Sequence, residues 1–556
     1  MINECQHAFC MISGGDFFQN ANRRCLRSVS CSVSRTVPGR GVFGRIGLML
    51  ERDNIIFYDT SDLTETGGIC GRANAAYLAS GLKKRFPGEG ISVTGAEINR
   101  SGIYRRGLTR IKNLPPYVSV QLKHCTGRHT ETVTIWSPLA WNDRFFGTGG
   151  GGTADGGEKY ITRPNNTSRG MTVAFAVRNG FTAATTDAGN PENEWALDRD
   201  THRADWERIE NWRSASTHFM TLAGKAVAEL LHKRPVRYAY FHGGSGGGRQ
   251  AMVEVQEHPE DYNGVWASCP AIYWSRFLPL GLWQVAVMNS ANHVIPPRKM
   301  RCFMQAAWDK AGGERAYYQQ TSAVKIAPLQ CVGMPTKDGP ITKEDAAVMK
   351  EIWEGPRDEN GRQLWFGHRP GVLCWNVGIP VGAFYYTLFR KKPKPFFLSE
   401  YYLRWVTENP RQRFADVTLA EYRRLHLASI EKFSAADADK ADLSAFANAG
   451  GKLMIDHGTD DPLIPVDGTL HYFRNVEAAM GRDVVSRFLR LYITPGDGHG
   501  SCSWHGPGIS ERDGVAALIA WVERGIAPKA IRTVQVDKRG RTLREAECFS
   551  WKEEEK

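Results

Sequence analysis

The stretch Tyr238-Ala-Tyr-Phe-His-Gly-Gly-Ser-Gly-Gly-Gly-Arg-Gln250 constrains this chain more than any other. Its first five residues read as a strand, and from Arg249 the pattern turns helical to about Glu257, so one serine among five glycines sits at the reversal. A strand that folds straight back into a helix leaves almost no room for side chains two places before and after its apex, which suits Gly243 and Gly247. The apex, Ser245, is thereby exposed. The first amides of the helix, beginning with Gly246, point at any oxygen that becomes negative beside it. The competing reading is a phosphate loop. A Walker loop needs Gly-Lys-Ser/Thr, and a dinucleotide fingerprint follows a first strand with an acidic residue about twenty places on. The turn has no Gly-Lys-Ser/Thr and comes late in the chain, so G-x-S-x-G here is read as a nucleophile elbow.

The flanking pattern alternates strands and helices. Strands are expected at Tyr117 to Lys123, Thr132 to Ile135, Met171 to Ala176, Thr182 to Thr186 and Gly264 to Ser268. Between them a helix from about Ser214 to His232 presents Phe219, Leu222, Ala223, Ala226, Val227, Leu230 and Leu231 on one face. The alternation resumes with a strand at Lys452 to Asp456, a helix near Thr469 to Met480, a strand at Arg487 to Ile493 and a helix from Gly514 to Arg524. Such a series predicts an α/β fold, a mostly parallel sheet flanked by helices. Residues 276–445 break the series with aromatics, prolines and charged helical stretches, and read as an insertion. The expected division is a tail over 1–60, core over 61–275, insertion over 276–445, core again over 446–540, and a tail over 541–556.

Composition excludes several classes. The formal charge of +12 is spread widely, which argues against a nucleic-acid partner, and its densest run, Arg390, Lys391, Lys392 and Lys394, reads as a solvated loop. No uninterrupted apolar run of about 18 residues occurs, so no membrane span is expected. Twelve cysteines are too sparse for a disulfide scaffold, and none pair at zinc-finger spacing. Four of them, Cys5, Cys10, Cys25 and Cys31, crowd into an N-terminal segment with six arginines and no acidic residue between Ala21 and Leu50. That segment reads as a targeting peptide or a non-native start. A signal peptide is a poor match, because Arg45 breaks the apolar stretch Val42 to Leu50.

A serine hydroxyl needs a histidine to take its proton and a carboxylate to orient that histidine. Both are expected on loops after later strands. After strand 452–456 comes His457-Gly-Thr-Asp-Asp-Pro-Leu-Ile-Pro465, where Asp461 is the candidate acid and Asp460 its competitor. After strand 487–493 comes Thr494-Pro-Gly-Asp-Gly-His-Gly500, where His499 is the candidate base, with His505 further off. An oxyanion hole needs a second amide besides that of Gly246. The bare backbone of Arg144-Phe-Phe-Gly-Thr-Gly-Gly-Gly-Gly-Thr153 offers Gly149, Gly150 and Gly151.

With these residues in place, the chain resembles the tannase and feruloyl esterase family of α/β-hydrolases, which also contains mono-hydroxyethyl terephthalate hydrolase. The resemblance runs from about Leu114 to Ile531 through Trp141-Asn-Asp-Arg-Phe-Phe, Phe181-Thr-Ala-Ala-Thr-Thr-Asp-Ala-Gly189, Gly247-Gly-Arg-Gln250 and His258-Pro-Glu-Asp-Tyr-Asn-Gly264. It continues through Asp442-Leu-Ser-Ala-Phe446, Gly450-Gly-Lys-Leu453, Asp461-Pro-Leu-Ile-Pro465, Pro495-Gly and Trp521-Val-Glu-Arg-Gly525. It implies an α/β-hydrolase fold with a large inserted lid, a triad of Ser245, Asp461 and His499, no cofactor, and a small aromatic or phenolic ester as substrate. The alternatives are an acyltransferase or other activity on the same triad, and a catalytically silent binding scaffold. The length agrees with a lid: 216 residues separate Ser245 from Asp461, where two strand–helix units need roughly 60. Aromatics such as Trp365, Trp375, Phe384, Tyr385 and Tyr386 lie in this excess, and none is singled out for binding.

Two departures from the family matter. Its members carry a cysteine before the nucleophile and another after the histidine, joined as a disulfide, whereas here both places are glycine, Gly244 and Gly500. The implied consequence is activity indifferent to reductants, and the loss points toward a reducing compartment, with secretion as the alternative. Family lids also carry an aspartate-rich calcium loop. The corresponding Ala306 to Ile341 offers only Asp309 and Asp338, so no structural calcium and no metal at the site are expected.

Overall fold

The computed structural model describes residues 69, 71–107, 109–153, 156–157, 159–162, 172–190, 195–373, 380–389, 391–500, 506–537 and 541–552. Residues 58–556 form one unit, to which all that follows belongs. The expected tail over 1–60 lies outside the described residues, as do Trp375 and His505.

Nine strands build the main sheet: β1 (Gly90–Asn99), β2 (Tyr117–Thr126), β3 (His129–Pro138), β4 (Arg144–Thr148), β5 (Thr182–Thr186), β6 (Tyr238–Gly244), β7 (Gly264–Ser268), β8 (Lys452–Gly458) and β9 (Leu489–Thr494). Their spatial order is β1-β2-β3-β5-β4-β6-β7-β8-β9. The pairs from β1 through β3 to β5 are antiparallel and the rest parallel, the arrangement of an α/β-hydrolase. The register brings Gly244 opposite Ser268, Ser268 opposite Asp456, and Gly458 opposite Thr494, so four strand ends finish along one rim.

The strands Thr182–Thr186 and Gly264–Ser268 are buried along their whole length, and Lys452–Gly458 is buried at every position but the first, as strands covered on both faces are. One expected strand is corrected. Within the expected Met171 to Ala176 strand, the described residues form part of a helix, Val173–Arg178, whose first turn is capped by Thr172 accepting from the Phe175 amide. Because β4 and β5 are parallel neighbours, the chain between them must cross over, and a helix is the compact way to do it. Edge strand β1 escaped the sequence reading because it lacks a strongly buried face.

Helices cover the sheet: α1 (Ala75–Arg85), α2 (Ser216–His232), α3 (Gly246–Glu257) and, after the insertion, Val466–Met480 and Glu511–Arg524. Between β7 and β8 the described residues contain no strand of the main sheet. Helices at Trp274–Leu280, Trp283–Ser290, Pro297–Lys310, Lys343–Glu354, Phe397–Thr407 and Leu419–Phe433 fill that insertion. Their buried Trp283, Tyr402 and Tyr422 belong to the same apolar core as Val265 and Leu453 of the sheet. An antiparallel ribbon of three further strands, Gly508–Ile509, Ala530–Val536 and Thr542–Phe549, ends the chain.

Candidate active site

Ser245 stands between β6 and α3 with φ 60° and ψ −120°, outside the regions an L-residue prefers. Strain of this kind persists only where the surroundings hold it. Here they do: the Ser245 amide donates to the Ser268 carbonyl at 3.0 Å, and the Ser245 carbonyl accepts from the amides of Arg249 and Ala271, both at 3.0 Å. The glycines obey the expected steric rule. A methyl group on Gly243 would fall on the Gly247 carbonyl, and one on Gly246 would meet the Gly152 carbonyl at 2.5 Å. The glycine loop after β4 therefore lies directly against the first turn of α3.

That loop corrects two of the three oxyanion candidates. The Gly149 amide donates to the His242 carbonyl at 3.0 Å, and the Gly150 amide to Gln250 Oε1 at 2.8 Å. Both amides hold the loop to β6 and α3, so neither is available to a ligand. Gly151 differs. Its carbonyl accepts from the Tyr160 hydroxyl at 3.2 Å, while its amide donates to no described residue. The next residue, Gly152, has φ +62° and so turns the chain away in the left-handed region.

Asp461 follows β8 and His499 follows β9. Asp461 Oδ2 lies 2.6 Å from His499 Nδ1 and 3.1 Å from His457 Nε2, and Oδ1 accepts from the amides of Leu463 at 2.8 Å and Ile464 at 2.9 Å. Burial alone would raise this carboxyl, but the imidazoles of His499 and His457 outweigh it and hold Asp461 well below the usual carboxylate range. Burial likewise opposes a charged His499, yet the Asp461 carboxylate, with Cys269 also contributing, keeps that imidazole well above its ordinary value. Asp460 faces elsewhere. It accepts from the Tyr317 hydroxyl at 2.9 Å, and burial pushes its carboxyl up to about 7.

Sequence reasoning missed three neighbours. Cys269 caps β7, the strand between those carrying Ser245 and Asp461. Its sulfur, a ring nitrogen of His499 and an oxygen of Asp461 all lie within 4.8 Å of one another. Its position at the end of a parallel strand was the only signal available. Tyr317 and His368 come from the insertion, and neither had a sequence signal. His368 Nε2 lies 2.9 Å from the Pro462 carbonyl, and Arg369 of the same segment forks onto Asp467 at 2.8 and 2.7 Å. The insertion thus braces the acid loop. Trp365 is buried and packs on Tyr273, whereas Phe384 is 67% exposed. Asp309 accepts from Gln305 and Asp338 from Arg298, so these two acids face different partners. The Ser245 hydroxyl makes no hydrogen bond to a described residue. Among the described residues, Cys125, Cys269, Cys302, Cys331 and Cys548 form no disulfide, and no helix is long and apolar enough to cross a membrane.

The profile described as tannase and feruloyl esterase matches residues 130–553. A probable feruloyl esterase of Arthroderma benhamiae is 34% identical over 456 residues, which span 76% of this chain and 79% of that protein. An uncharacterized esterase of Xanthomonas campestris pv. campestris is 26% identical over 449 residues, 71% of this chain and 73% of that protein. Among solved structures, feruloyl esterase B from Aspergillus oryzae superposes with a TM-score of 0.70 at 18% identity, over 86% of this chain and 96% of that one. Tannin acyl hydrolase from Aspergillus niger does so with a TM-score of 0.68 at 19% identity, over 86% and 93%. At those identities the two structures speak for the fold, and the matched profile and the Arthroderma relative for the family: the chain belongs to the tannase and feruloyl esterase family and is a carboxylic ester hydrolase.

Proposed function

We propose that the protein cleaves esters of aromatic or phenolic acids through Ser245, His499 and Asp461. The observation that carries this is the 2.6 Å contact between Asp461 and His499 at the rim where the strained turn presents Ser245. Asp461 fixes the ring with Nδ1 protonated, leaving Nε2 to act as base. When the ester enters, the Ser245 hydroxyl closes onto Nε2, a contact that commonly tightens only with substrate bound. The oxygen attacks the ester carbonyl as its proton passes to Nε2. The carbonyl oxygen becomes an oxyanion, held by the amides of Gly246 and Gly151. The tetrahedral intermediate collapses, the alcohol leaves with the proton from His499, and water repeats the two steps on the acyl-enzyme to release the acid and restore Ser245.

The acyl class rests on the relatives named for feruloyl and tannin esters, and on an insertion rich in aromatic side chains that braces the acid loop. We assign the insertion the role of a lid over a small-molecule ester. The test is a panel of feruloyl, galloyl, benzoyl and short aliphatic esters read by product mass, with wild type and Ser245→Ala. Faster release of the aromatic acids, abolished in the variant, is expected. Wild-type turnover no higher than background, with no labelling of the wild type by a fluorophosphonate, would favour the silent scaffold, and equal catalytic turnover by Ser245→Ala would remove Ser245 from the mechanism. Transfer to added alcohols outpacing hydrolysis would favour an acyltransferase.

A further inference from the structure

Away from the catalytic rim, Glu254 on the third turn of α3 is 1% exposed, and among the described residues neither carboxylate oxygen accepts from a hydrogen-bond donor. An ionised carboxylate sealed from water without a partner costs several kcal/mol, so something must neutralise it. Its neighbours are Asp261, 5% exposed, and His218 of α2. One oxygen from each carboxylate and one imidazole nitrogen lie within 4.8 Å of one another. His218 Nδ1 stands 2.6 Å from Asp261 Oδ2, and its ring stacks on His258 with centroids 3.9 Å apart. The His218 side chain keeps 34% exposure, which opens the cluster to solvent on one side.

The surrounding charges do not complete the balance. Lys225 of α2 has its ammonium 4.0 Å from Asp261 Oδ1 and donates to the Asp261 carbonyl, so it offsets one negative charge of the two. Glu257, one turn on from Glu254, is taken up by Arg213, Ser214 and Lys440. Three neutralisers remain: a proton on His218 beside Asp261, a proton held between the two carboxyls, or a cation.

We propose that His218, Glu254 and Asp261 bind one divalent transition-metal ion of the zinc class, which fastens the helix carrying the nucleophile to α2. One imidazole and two carboxylates suit zinc or manganese, whereas calcium takes six to eight oxygens. Ligand atoms about 2.1 Å from a tetrahedral zinc stand on the order of 3.4 Å apart, so the 2.6 Å contact between His218 Nδ1 and Asp261 Oδ2 must open to admit the ion, within a cluster whose ligand atoms already lie within 4.8 Å of one another. Nδ1 must give up its proton to bind, and His218 keeps a proton on Nε2 instead. Any proton shared by the carboxyls is released, so affinity rises with pH.

The test uses the full chain stripped with chelator and titrated with zinc chloride by calorimetry at pH 7.5, with Glu254→Gln and His218→Gln alongside. One saturable site is expected, weakened at least tenfold in each variant, with a zinc-dependent rise in melting temperature of about 2 to 4 °C in wild type only. Circular dichroism of the metal-free variants establishes that they are folded, and the half-exposed His218 supplies a variant that leaves the buried carboxyls intact. Zinc binding equal in wild type and both variants overturns the proposal. So does an infrared band of a protonated carboxyl, absent in Glu254→Gln, that persists in wild type at saturating zinc.

Discussion

Asp461 and Glu254 are both carboxylates closed off from water, and the protein treats them in opposite ways. Asp461, 2% exposed, sits on a loop that aims two amides at Oδ1 and two imidazoles at Oδ2, and it stays ionised. Glu254, 1% exposed, sits inside a helix whose amides are already engaged. Among the described residues no donor reaches it, and burial, followed by the charge and the close carboxyl of Asp261, raises its own carboxyl well above the usual range. Burial is nearly equal, so burial does not decide the state of a carboxylate; the local supply of donors does. Loops after strand ends have free amides to give and helix interiors do not, one physical reason why reactive acids lie along the sheet rim.

Removing the charge that the donors stabilise should cost the most activity. Asp461→Asn is expected to lower kcat/KM by about 10³- to 10⁴-fold, because the ring then loses its enforced tautomer. A loss below about tenfold on the aromatic ester panel would mean another group orients His499. The pH profile sharpens the same point. The base must be neutral to accept the Ser245 proton, and the Asp461 charge raises the His499 imidazole, so activity is lost as pH falls through that raised value. The acid limb of kcat/KM should be centred above 6.5, the ordinary imidazole value; a limb centred below 6 would contradict the coupling.

A smaller effect tests whether the insertion shares in holding the acid loop. Tyr317→Phe takes from buried Asp460 its phenolic donor and should cost about 1 to 3 kcal/mol of stability in urea unfolding. No change there would mean that the contact across 143 residues carries no weight.

Glu254 itself is probed through stability. In the metal-free chain the folded protein binds the proton more tightly than the unfolded one, so stability falls as pH rises above the unfolded carboxyl value near 4.5. The groups facing it are Asp261, Lys225, Glu257 and His218. Glu254→Gln removes this slope, and its melting temperature should gain on that of wild type between pH 5 and pH 8. A constant gap would place Glu254 with the satisfied carboxylates. The smallest expected change is none: dithiothreitol should leave ester hydrolysis within about twofold. With glycine at 244 and 500, His499 is held by Asp461 and packing instead of a disulfide, and steep inactivation by the reductant would reverse that reading.

Much of the scaffold was legible before any coordinates. Thr182–Thr186 and Gly264–Ser268 match the expected strands residue for residue, the first through its β-branched threonines and the second through its shortness between turn residues. The same shortness misled at 171–176. Val173, Ala174, Ala176 and Val177 are all buried, and a run this short carries no period to separate helix from strand. There the parallel pairing of β4 with β5 decided the matter. The contacts of Cys269 with the acid and base, and of Tyr317 with the acid loop, join residues more than 140 positions apart, and no local pattern announces them.

The turn at Ser245 and the order of serine, aspartate and histidine after successive strands are written in the local sequence. Both follow from local sterics: glycines where a side chain would collide, and loops where strands must end. Which glycine amide stays open, which of two adjacent aspartates meets the histidine, and that Glu254 is left without a donor were decided only by the tertiary structure. The first two depend on where groups 38 to 143 residues away come to rest, and hydrogen bonds form by distance in space, not by spacing along the chain.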